Sequence, residues 1–149
     1  MILTAHLLLG AAIASKIEYA PAALFMAFLS HYFLDILPHI EYSISNISEK
    51  QWQKSAPDIL SVFLDFFFGI LLILIFSNNQ PIIYMGAFVA LIPDSLTIIS
   101  SVFPNKILSK HDQLHRGKIH FLKYKKISIF WRISSQILAI IISIILLLS

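Results

Sequence analysis

Residues 59–76 read Ile-Leu-Ser-Val-Phe-Leu-Asp-Phe-Phe-Phe-Gly-Ile-Leu-Leu-Ile-Leu-Ile-Phe, an apolar run that contains one acidic side chain. The hydrocarbon core of a bilayer is about 30 Å thick and needs roughly 20 mostly apolar residues of helix. Four more apolar runs occur, and the predicted helices cover residues 2–15, 20–37, 58–76, 81–103 and 128–148. The first run is short for a complete span. The pattern predicts an all-α polytopic membrane helix bundle of about five transmembrane helices, forming one integral membrane domain over residues 1–149.

The composition of the whole chain supports residence in a membrane. Hydrophobic residues make up 58% of the 149 residues and charged residues 13%, and the mean hydropathy is +0.81. Soluble domains are about 45–50% apolar and about 25% charged, and a domain of this length cannot bury so much apolar surface. The composition therefore disfavours soluble globular, disordered and nucleic-acid-binding proteins. The chain has no cysteine, which excludes disulfides, thiolate nucleophiles and cysteine-based metal sites.

The basic residues predict the orientation in the membrane. Two of the connections between the predicted helices are long loops, residues 38–57 and 104–127. The second loop carries most of the basic side chains, namely Lys106, Lys110, Arg116, Lys118, Lys123, Lys125 and Lys126. By the positive-inside rule this loop is cytoplasmic. Five spans then place the first loop, with Lys50 and Lys54, on the same side, and the N-terminus in the cytoplasm.

Ionisable side chains interrupt the predicted membrane helices. They are His6, His31, Asp35, Asp65 and Asp94. Burying such groups in hydrocarbon is costly, so they usually face an interior cavity or a partner. With a rise of about 1.5 Å per residue, Asp65 and Asp94 lie about 10–14 Å from the cytoplasmic ends of their helices. The other three lie within the first or last two turns of theirs, so the sequence predicts one polar layer near the cytoplasmic face.

Two motifs have the spacing of metal ligands. His31 and Asp35 are four residues apart and share a helix face, and an imidazole with a carboxylate suits zinc or a similar divalent ion. In the basic loop, His111 and His115 have the same spacing, and His120 follows them. With no cysteine, the donors indicate zinc, with manganese or magnesium as alternatives. A water bound to such an ion has a lowered pKa and can act as a nucleophile.

These residue types suggest a role for each candidate. The candidate metal ligands are His6, His31, Asp35, Asp65, Asp94, His111, His115 and His120. Arg116 and Lys118 lie beside the loop histidines and are candidates for binding an anionic group of the substrate. The candidate catalytic residues are Asp65, Asp94 and His115.

Most of these residues also have a structural interpretation. His31 and Asp35 can satisfy each other as an intrahelical pair. Asp65 and Asp94 can each pair with a helix or with Arg132. The lysines of the basic loop are most simply a topology determinant and a contact for anionic lipid. The loop histidines fit this interpretation less well, because topology does not require them.

Most of the candidate ligands fall within four short sequence motifs. They are Thr4-Ala5-His6 with Leu7-Leu8-Leu9-Gly10, Ser30-His31-Tyr32-Phe33-Leu34-Asp35, Leu91-Ile92-Pro93-Asp94 and His115-Arg116-Gly117-Lys118-Ile119-His120. Together they resemble the bacterial membrane-bound, predicted metal-dependent hydrolases, the YdjM-like inner-membrane hydrolases. Their order along the chain differs from that family's, and Ile119 stands where the family has threonine. The resemblance implies a small multi-helix protein of the inner membrane with a divalent-metal site of histidine and aspartate.

The sequence therefore predicts an integral membrane hydrolase with a His/Asp divalent-metal site at the cytoplasmic membrane interface. Its expected substrate is an ester or phosphoester, including a lipid-linked one, and its expected partners are the bilayer and anionic lipid, with no nucleic acid. An ion or metal transporter is one alternative, although the outer halves of the helices carry few polar residues. A non-catalytic membrane scaffold that uses its basic loop to bind lipid or a partner is the other.

Overall fold

The described residues form helices, turns and coil. The computed structural model describes residues 1–103 and 105–149. Its α-helices are α1 (Leu3–Lys16), α2 (Ala20–Ile36), α3 (Ser45–Ser48), α4 (Ala56–Phe76), α5 (Pro81–Ala90), α6 (Ile92–Val102), α7 (Lys106–Asp112) and α8 (Ile129–Leu148). A 3₁₀ turn covers Trp52–Lys54, and a π-helical turn (Gln113–Lys118) leads into a 3₁₀ segment (Ile119–Tyr124). The all-helical prediction is confirmed; Pro104, where the predicted second loop begins, lies outside the described residues.

Helix α1 is the centre of the bundle, although its apolar run is the shortest of the five. It packs against α2, α4, α5 and α8. Leu7, Leu8 and Ala11 have no exposed surface. A helix that is apolar on all sides can be buried on all sides, and the many small residues of α1 let its neighbours approach closely. This position makes α1 the element against which the others align.

Helices α1 and α5 approach each other closely at Gly10 and Gly86. A Cβ atom built on Gly10 would lie 2.6 Å from the Gly86 carbonyl oxygen and 2.6 Å from the Ala90 Cβ. Carbon atoms do not tolerate either distance, so the absence of a side chain at Gly10 sets the separation of the two helices. His6, one turn before Gly10, is thereby held close to the end of α5.

The apolar run at residues 81–103 forms two helices instead of the single predicted one. The axes of α5 and α6 differ by 44° across the break at Leu91. Pro93 explains the break, because proline has no N–H to donate and its ring clashes with the carbonyl four residues earlier. Asp94 consequently lies in the first turn of a new helix.

Two helices are long and apolar enough to cross a membrane, α4 with 21 residues and α8 with 20. The bent pair α5–α6 makes a third if it is counted as one span. Both α4 and α8 expose large apolar side chains, among them Phe67, Leu71 and Ile141. Helices α1 and α2 are apolar but have 14 and 17 residues, fewer than the roughly 20 of a typical span. These lengths are compatible with a membrane protein.

The close approach of α1 and α5 can be tested by adding one methyl group. We expect Gly10→Ala to destabilise the protein by about 1–3 kcal/mol, as overpacking of a core does. Thermal unfolding in detergent, followed by circular dichroism, measures this loss. Gly117→Ala is the matched control, because a Cβ there meets no atom within 4 Å. A Gly10→Ala variant as stable as Gly117→Ala would contradict the packing described above.

Candidate metal centre

Asp35, in the last turn of α2, is the centre of a buried polar cluster. Its side chain has no exposed surface. Its Oδ2 atom lies 3.0 Å from the Nε2 atom of His31, 3.0 Å from that of His115 and 3.0 Å from that of His120. One carboxylate oxygen is thus the meeting point of three imidazole rings.

The other side of Asp35 faces α1. The Oδ1 atom lies 2.9 Å from the amino nitrogen of Met1 and 3.3 Å from His6 Nε2. The His6 ring stacks on His31, with ring centroids 4.0 Å apart. Asp94 approaches from α6, where its Oδ1 is 3.6 Å from His31 Nε2. We call the six side chains of His6, His31, Asp35, Asp94, His115 and His120 the Asp35 cluster.

Segments that are distant in sequence bring the Asp35 cluster together. Helix α1 supplies His6, α2 supplies His31 and Asp35, α6 supplies Asp94, and residues 113–124 supply His115 and His120. The i, i+4 spacing predicted His31 and Asp35 on one helix face, and their side chains do meet at 3.0 Å. His115 lies in the π-helical turn and His120 in the 3₁₀ segment that follows. The cluster therefore belongs to the tertiary structure and to no single helix.

The outer ring nitrogens of two of these histidines are held by hydrogen bonds. His31 Nδ1 lies 2.7 Å from the Ala90 carbonyl oxygen, which can only accept. His115 Nδ1 lies 3.1 Å from the Thr97 hydroxyl, and that hydroxyl donates to the Pro93 carbonyl at 3.2 Å. Both Nδ1 atoms are therefore assigned as donors. In the neutral form of each ring, the Nε2 atom then carries a lone pair that points into the cluster.

Glu41 holds the third histidine in the same way. Its Oε1 atom lies 2.8 Å from His120 Nδ1 and 2.8 Å from His39 Nε2. Burial by itself would lower the pKa of His120, but hydrogen bonds to Asp35 and Glu41 raise it above its ordinary value. His39 Nδ1 faces the Leu37 carbonyl at 2.7 Å. Both nitrogens of His39 thus face oxygen acceptors, and His39, Asp35 and His120 also offer donor atoms that lie within 4.8 Å of one another.

The spacing of the donor atoms fits a divalent cation. The Nε2 atoms of His31 and His115 are 3.0 Å apart, and both lie 3.0 Å from Asp35 Oδ2. Lone pairs and a carboxylate oxygen repel one another at such a distance unless a proton or a cation lies between them. Around an ion with ligands at about 2.0–2.2 Å, neighbouring ligand atoms lie about 3 Å apart. One donor atom each from His31, Asp35, Asp94 and His115 lies within 4.8 Å of the others.

Buried nitrogen atoms without partners point to the same conclusion. His120 Nε2 and both ring nitrogens of His6 make no well-aligned hydrogen bond to a described residue, although the two Nε2 atoms lie 3.0 and 3.3 Å from the Asp35 carboxylate. Leaving a buried polar atom unsatisfied costs about 1–3 kcal/mol, and a bound cation would offset that cost. Imidazole nitrogens combined with carboxylate oxygens, without thiolate, suit zinc and related borderline ions.

A cavity of about 780 Å³ opens onto the cluster. Its polar end is lined by Glu41, Asp94, His115, Arg116 and His120. The Asp94 side chain is 28% exposed, whereas that of Asp35 is fully buried. Asp94 is therefore the carboxylate at the boundary between the cluster and the cavity, where a molecule in the cavity meets it directly.

Asp65, predicted as a ligand and catalytic residue, is not brought to the Asp35 cluster. Its carboxylate caps the start of α1, accepting the Leu3 N–H at 2.5 Å and the Thr4 hydroxyl at 2.5 Å. It also accepts the Thr4 N–H at 3.3 Å. The first N–H groups of a helix lack partners within the helix, and a carboxylate at that end is favoured by the helix dipole. These donors give Asp65 a structural reason to lie in an apolar helix.

The remaining predicted residues differ in their relation to the cavity. His111 Nε2 lies 3.0 Å from the Tyr32 hydroxyl, and burial together with the nearby His115 lowers the pKa of His111. Lys118 is exposed and is not one of the described residues that line the cavity. Arg116 does line the cavity, and it pairs with Asp112 at 2.5 Å. Of the two predicted anion-binding residues, Arg116 is the one at the site.

Sequence reasoning did not identify Glu41 and Thr97. Both act through a histidine of the cluster, as described above. Thr97 comes three residues after Asp94, a spacing that places two residues on one helix face, and Glu41 comes two residues after His39. A search for hydroxyl and carboxylate partners at short spacing from the candidate ligands would have included them.

Comparison with protein-family models, with curated proteins and with solved structures finds no match for this chain. The resemblance to the membrane-bound hydrolases therefore stays a prediction from the four motifs, and the geometry of the Asp35 cluster has to carry any functional conclusion.

The assignment of Asp65 as the cap of α1 can be tested by Asp65→Asn. Because an amide oxygen accepts these hydrogen bonds less strongly than a carboxylate, we expect a loss of stability of about 1–3 kcal/mol, measured by thermal unfolding in detergent. Thr4→Val, which removes the hydroxyl donor, should also be destabilising. The content of divalent metal, measured by elemental mass spectrometry, should equal that of the wild type. Loss of metal from a variant of unchanged stability would instead make Asp65 a ligand.

Proposed function

We propose that the protein is an integral membrane hydrolase that uses a divalent metal ion at the Asp35 cluster to cleave an ester or phosphoester. One observation carries the proposal. Three imidazole Nε2 atoms meet one carboxylate oxygen at 3.0 Å, and the Nδ1 atom of each ring has its own acceptor. Metal-binding histidines have this arrangement, because the outer hydrogen bond sets the tautomer and orients the lone pair toward the ion.

The proposed ligands are His31, Asp35 and His115, with His120 and His6 beside them. Asp94 completes the set from farther away, with its Oδ1 at 3.6 Å from His31 Nε2 and 4.0 Å from His115 Nε2. A set dominated by imidazole favours zinc, with manganese second, because magnesium prefers oxygen ligands and retains several waters.

The position of Asp94 supports a role in moving protons. A divalent ion in such a site lowers the pKa of water and polarises the oxygen of a scissile ester. Asp94, at the boundary with the cavity, is placed to accept the proton of the attacking water. The water oxygen bonds to the carbonyl carbon or phosphorus, the ester C–O or P–O bond breaks, and the departing oxygen leaves as an alcohol with that proton. Arg116, on the cavity wall, suits an anionic group of the substrate.

The proposal includes a membrane topology of about five transmembrane helices. Helices α4 and α8 and the bent pair α5–α6 have the length and composition of spans. Helices α1 and α2 are shorter, and in this topology they complete the bundle with the cluster at one end of it. The basic residues of the 104–127 loop favour the cytoplasmic side of an inner membrane for that end. Because His115 and His120 belong to the same loop, the site would lie at the cytoplasmic membrane interface.

A transporter is a weaker explanation of the same residues. An ion pathway needs polar groups through the whole thickness of the membrane, but residues 70–76 of α4 are all apolar. Ser143 of α8 is buried, and its hydroxyl donates to the Ala139 carbonyl of its own helix at 2.8 Å. A scaffold that binds lipid or a partner through its basic loop would not need buried histidines with lone pairs directed at a carboxylate.

The metal site and its chemistry are tested together with Asp35→Asn and His115→Ala. We expect wild-type protein purified in detergent to contain stoichiometric zinc or manganese by elemental mass spectrometry, and both variants to lose most of it. The rate of hydrolysis of bis(p-nitrophenyl) phosphate or p-nitrophenyl butyrate should fall at least 100-fold in both variants. It should fall by the same factor when the wild type is treated with a chelator. His111→Ala is the control that keeps the metal, because His111 lies outside the cluster. Wild type without metal, or variants with full metal content, would refute the proposal.

Thr97 offers a separate test, because it orients His115 without being a proposed ligand. Thr97→Val keeps the shape of the side chain but removes the acceptor of His115 Nδ1. We expect zinc affinity to fall about 10–100-fold, the usual effect of losing such a partner, as measured by competition with a chelating dye. Thr97→Ser should restore most of the affinity. Ser101→Ala is the control, since that hydroxyl bonds the Thr97 carbonyl at 3.3 Å, and an equal loss in Ser101→Ala would contradict the assignment.

A further inference from the structure

The cavity beside the Asp35 cluster continues from its polar end into an apolar groove between α4 and the bent pair α5–α6. We call this part the lateral groove. Its apolar walls are Val62, Phe63 and Phe66 of α4 with Phe88, Leu91 and Ile98 from α5–α6. The same cavity thus has carboxylate, imidazole and guanidinium groups at one end and hydrocarbon side chains at the other.

The dimensions of the lateral groove suit part of an elongated ligand. The cavity residues of α4 run from Ile59 to Phe66, a distance of about 10 Å along the helix. The whole cavity measures about 780 Å³, within the range of about 300–1,000 Å³ for ligand pockets. The groove and the polar end together can therefore hold more than a water molecule or a small anion.

The wall formed by α6 is less polar than its sequence indicates. Ser95, Thr97 and Ser101 line the cavity, but each hydroxyl donates to the carbonyl four residues earlier in its own helix region. A hydroxyl that has donated its proton to the backbone has no donor left for a ligand. This wall therefore adds few hydrogen-bond donors to the groove; the other hydroxyl groups of the cavity lining belong to Tyr42, Ser43 and Ser45, in the segment after α2.

The groove opens toward the surface that faces lipid in a membrane-spanning α4. Ile59 and Phe63 line the cavity and are also 53% and 55% exposed on the surface of the helix. Helix α4 is one of the two helices long and apolar enough to cross a membrane. A hydrocarbon chain can thus pass from the bilayer into the groove without crossing water.

We infer that the lateral groove holds one acyl chain of a glycerophospholipid from the surrounding bilayer, with the lipid's ester or phosphate group at the Asp35 cluster. The inference rests on the proposed function and names the substrate class of that hydrolase. The division of the cavity into a polar and an apolar end matches an amphiphile, and Arg116 provides a positive charge for the phosphate. A short soluble phosphoester would leave the apolar walls against water, at a cost of about 25 cal/mol per Å².

The inference is tested by measuring lipid binding at two labelled positions of this cysteine-free chain. Ile98→Cys places a bimane label in the groove, and Leu64→Cys places one on the outer face of α4, where Leu64 is 59% exposed. The probe is phosphatidylglycerol with a dibrominated acyl chain, added to protein in detergent micelles. We expect quenching at position 98 to saturate near one lipid per protein. Quenching at position 64 should rise in proportion to the lipid content of the micelle.

A groove-filling variant provides the second arm. Val62→Trp in the Ile98→Cys background should raise the half-saturating lipid concentration at least tenfold. Leu71→Trp in the same background is the matched control, since Leu71 is 51% exposed on the same helix and lies outside the cavity lining formed by the described residues. The same quenching profile at positions 98 and 64, or no effect of Val62→Trp, would overturn the inference.

Metal content, measured on the same samples, separates this inference from the proposed function. Protein that holds metal but gives no saturable quenching refutes the groove as a lipid site and leaves the proposed function standing. Saturable quenching in protein that holds no metal refutes the proposed function, and with it the identification of the bound lipid as a substrate.

Discussion

The buried carboxylate of Asp35 is the group on which the rest of the site depends. A charge removed from water costs several kcal/mol unless partners compensate it, and Asp35 has no exposed surface. The groups around it come from two other parts of the chain: His6 and the Met1 amino group lie in α1 or just before it, and His115 and His120 lie in the 113–124 segment. The N-terminal end of α1 and the 113–124 segment therefore pack at one end of α2, and the cavity lies beside them.

The packing of the helices explains why this convergence is possible. The absence of a side chain at Gly10 lets α1 approach α5, and Pro93 ends one helix so that Asp94 begins another. Helix α8 fixes the loop after α2, because Gln136 donates to the Ile40 carbonyl at 2.6 Å and Ser135 donates to the Pro38 carbonyl. That loop carries His39 and Glu41, which orient His120. Even a helix that contributes no residue to the Asp35 cluster thus helps to build the site.

Much of the fold and part of the site followed from sequence patterns. Apolar runs predicted the five long helical regions, because their length exceeds that of ordinary loops, and the i, i+4 spacing predicted that His31 and Asp35 would meet. The partners of Asp65 could not be inferred from the sequence, because an isolated acid in an apolar helix looks the same whether its partner is a cation or the free N–H groups of a neighbouring helix. The break at Leu91 has a local cause in Pro93, but the length of an apolar run does not show it. The roles of Glu41 and Thr97 depend on His120 and His115, which lie far from them in the sequence.

The sequence by itself determined that the chain is helical, strongly apolar and free of cysteine, and that its histidines and aspartates are the available chemistry. These properties are local, because hydropathy and helical spacing act over a few turns. Only the tertiary structure decided which of those side chains share a site. It grouped His6, His31, Asp35, Asp94, His115 and His120, and it left Asp65 and His111 with other partners. The physical reason is that a buried carboxylate needs compensating groups or a bound cation close by, and packing joins residues far apart in the chain.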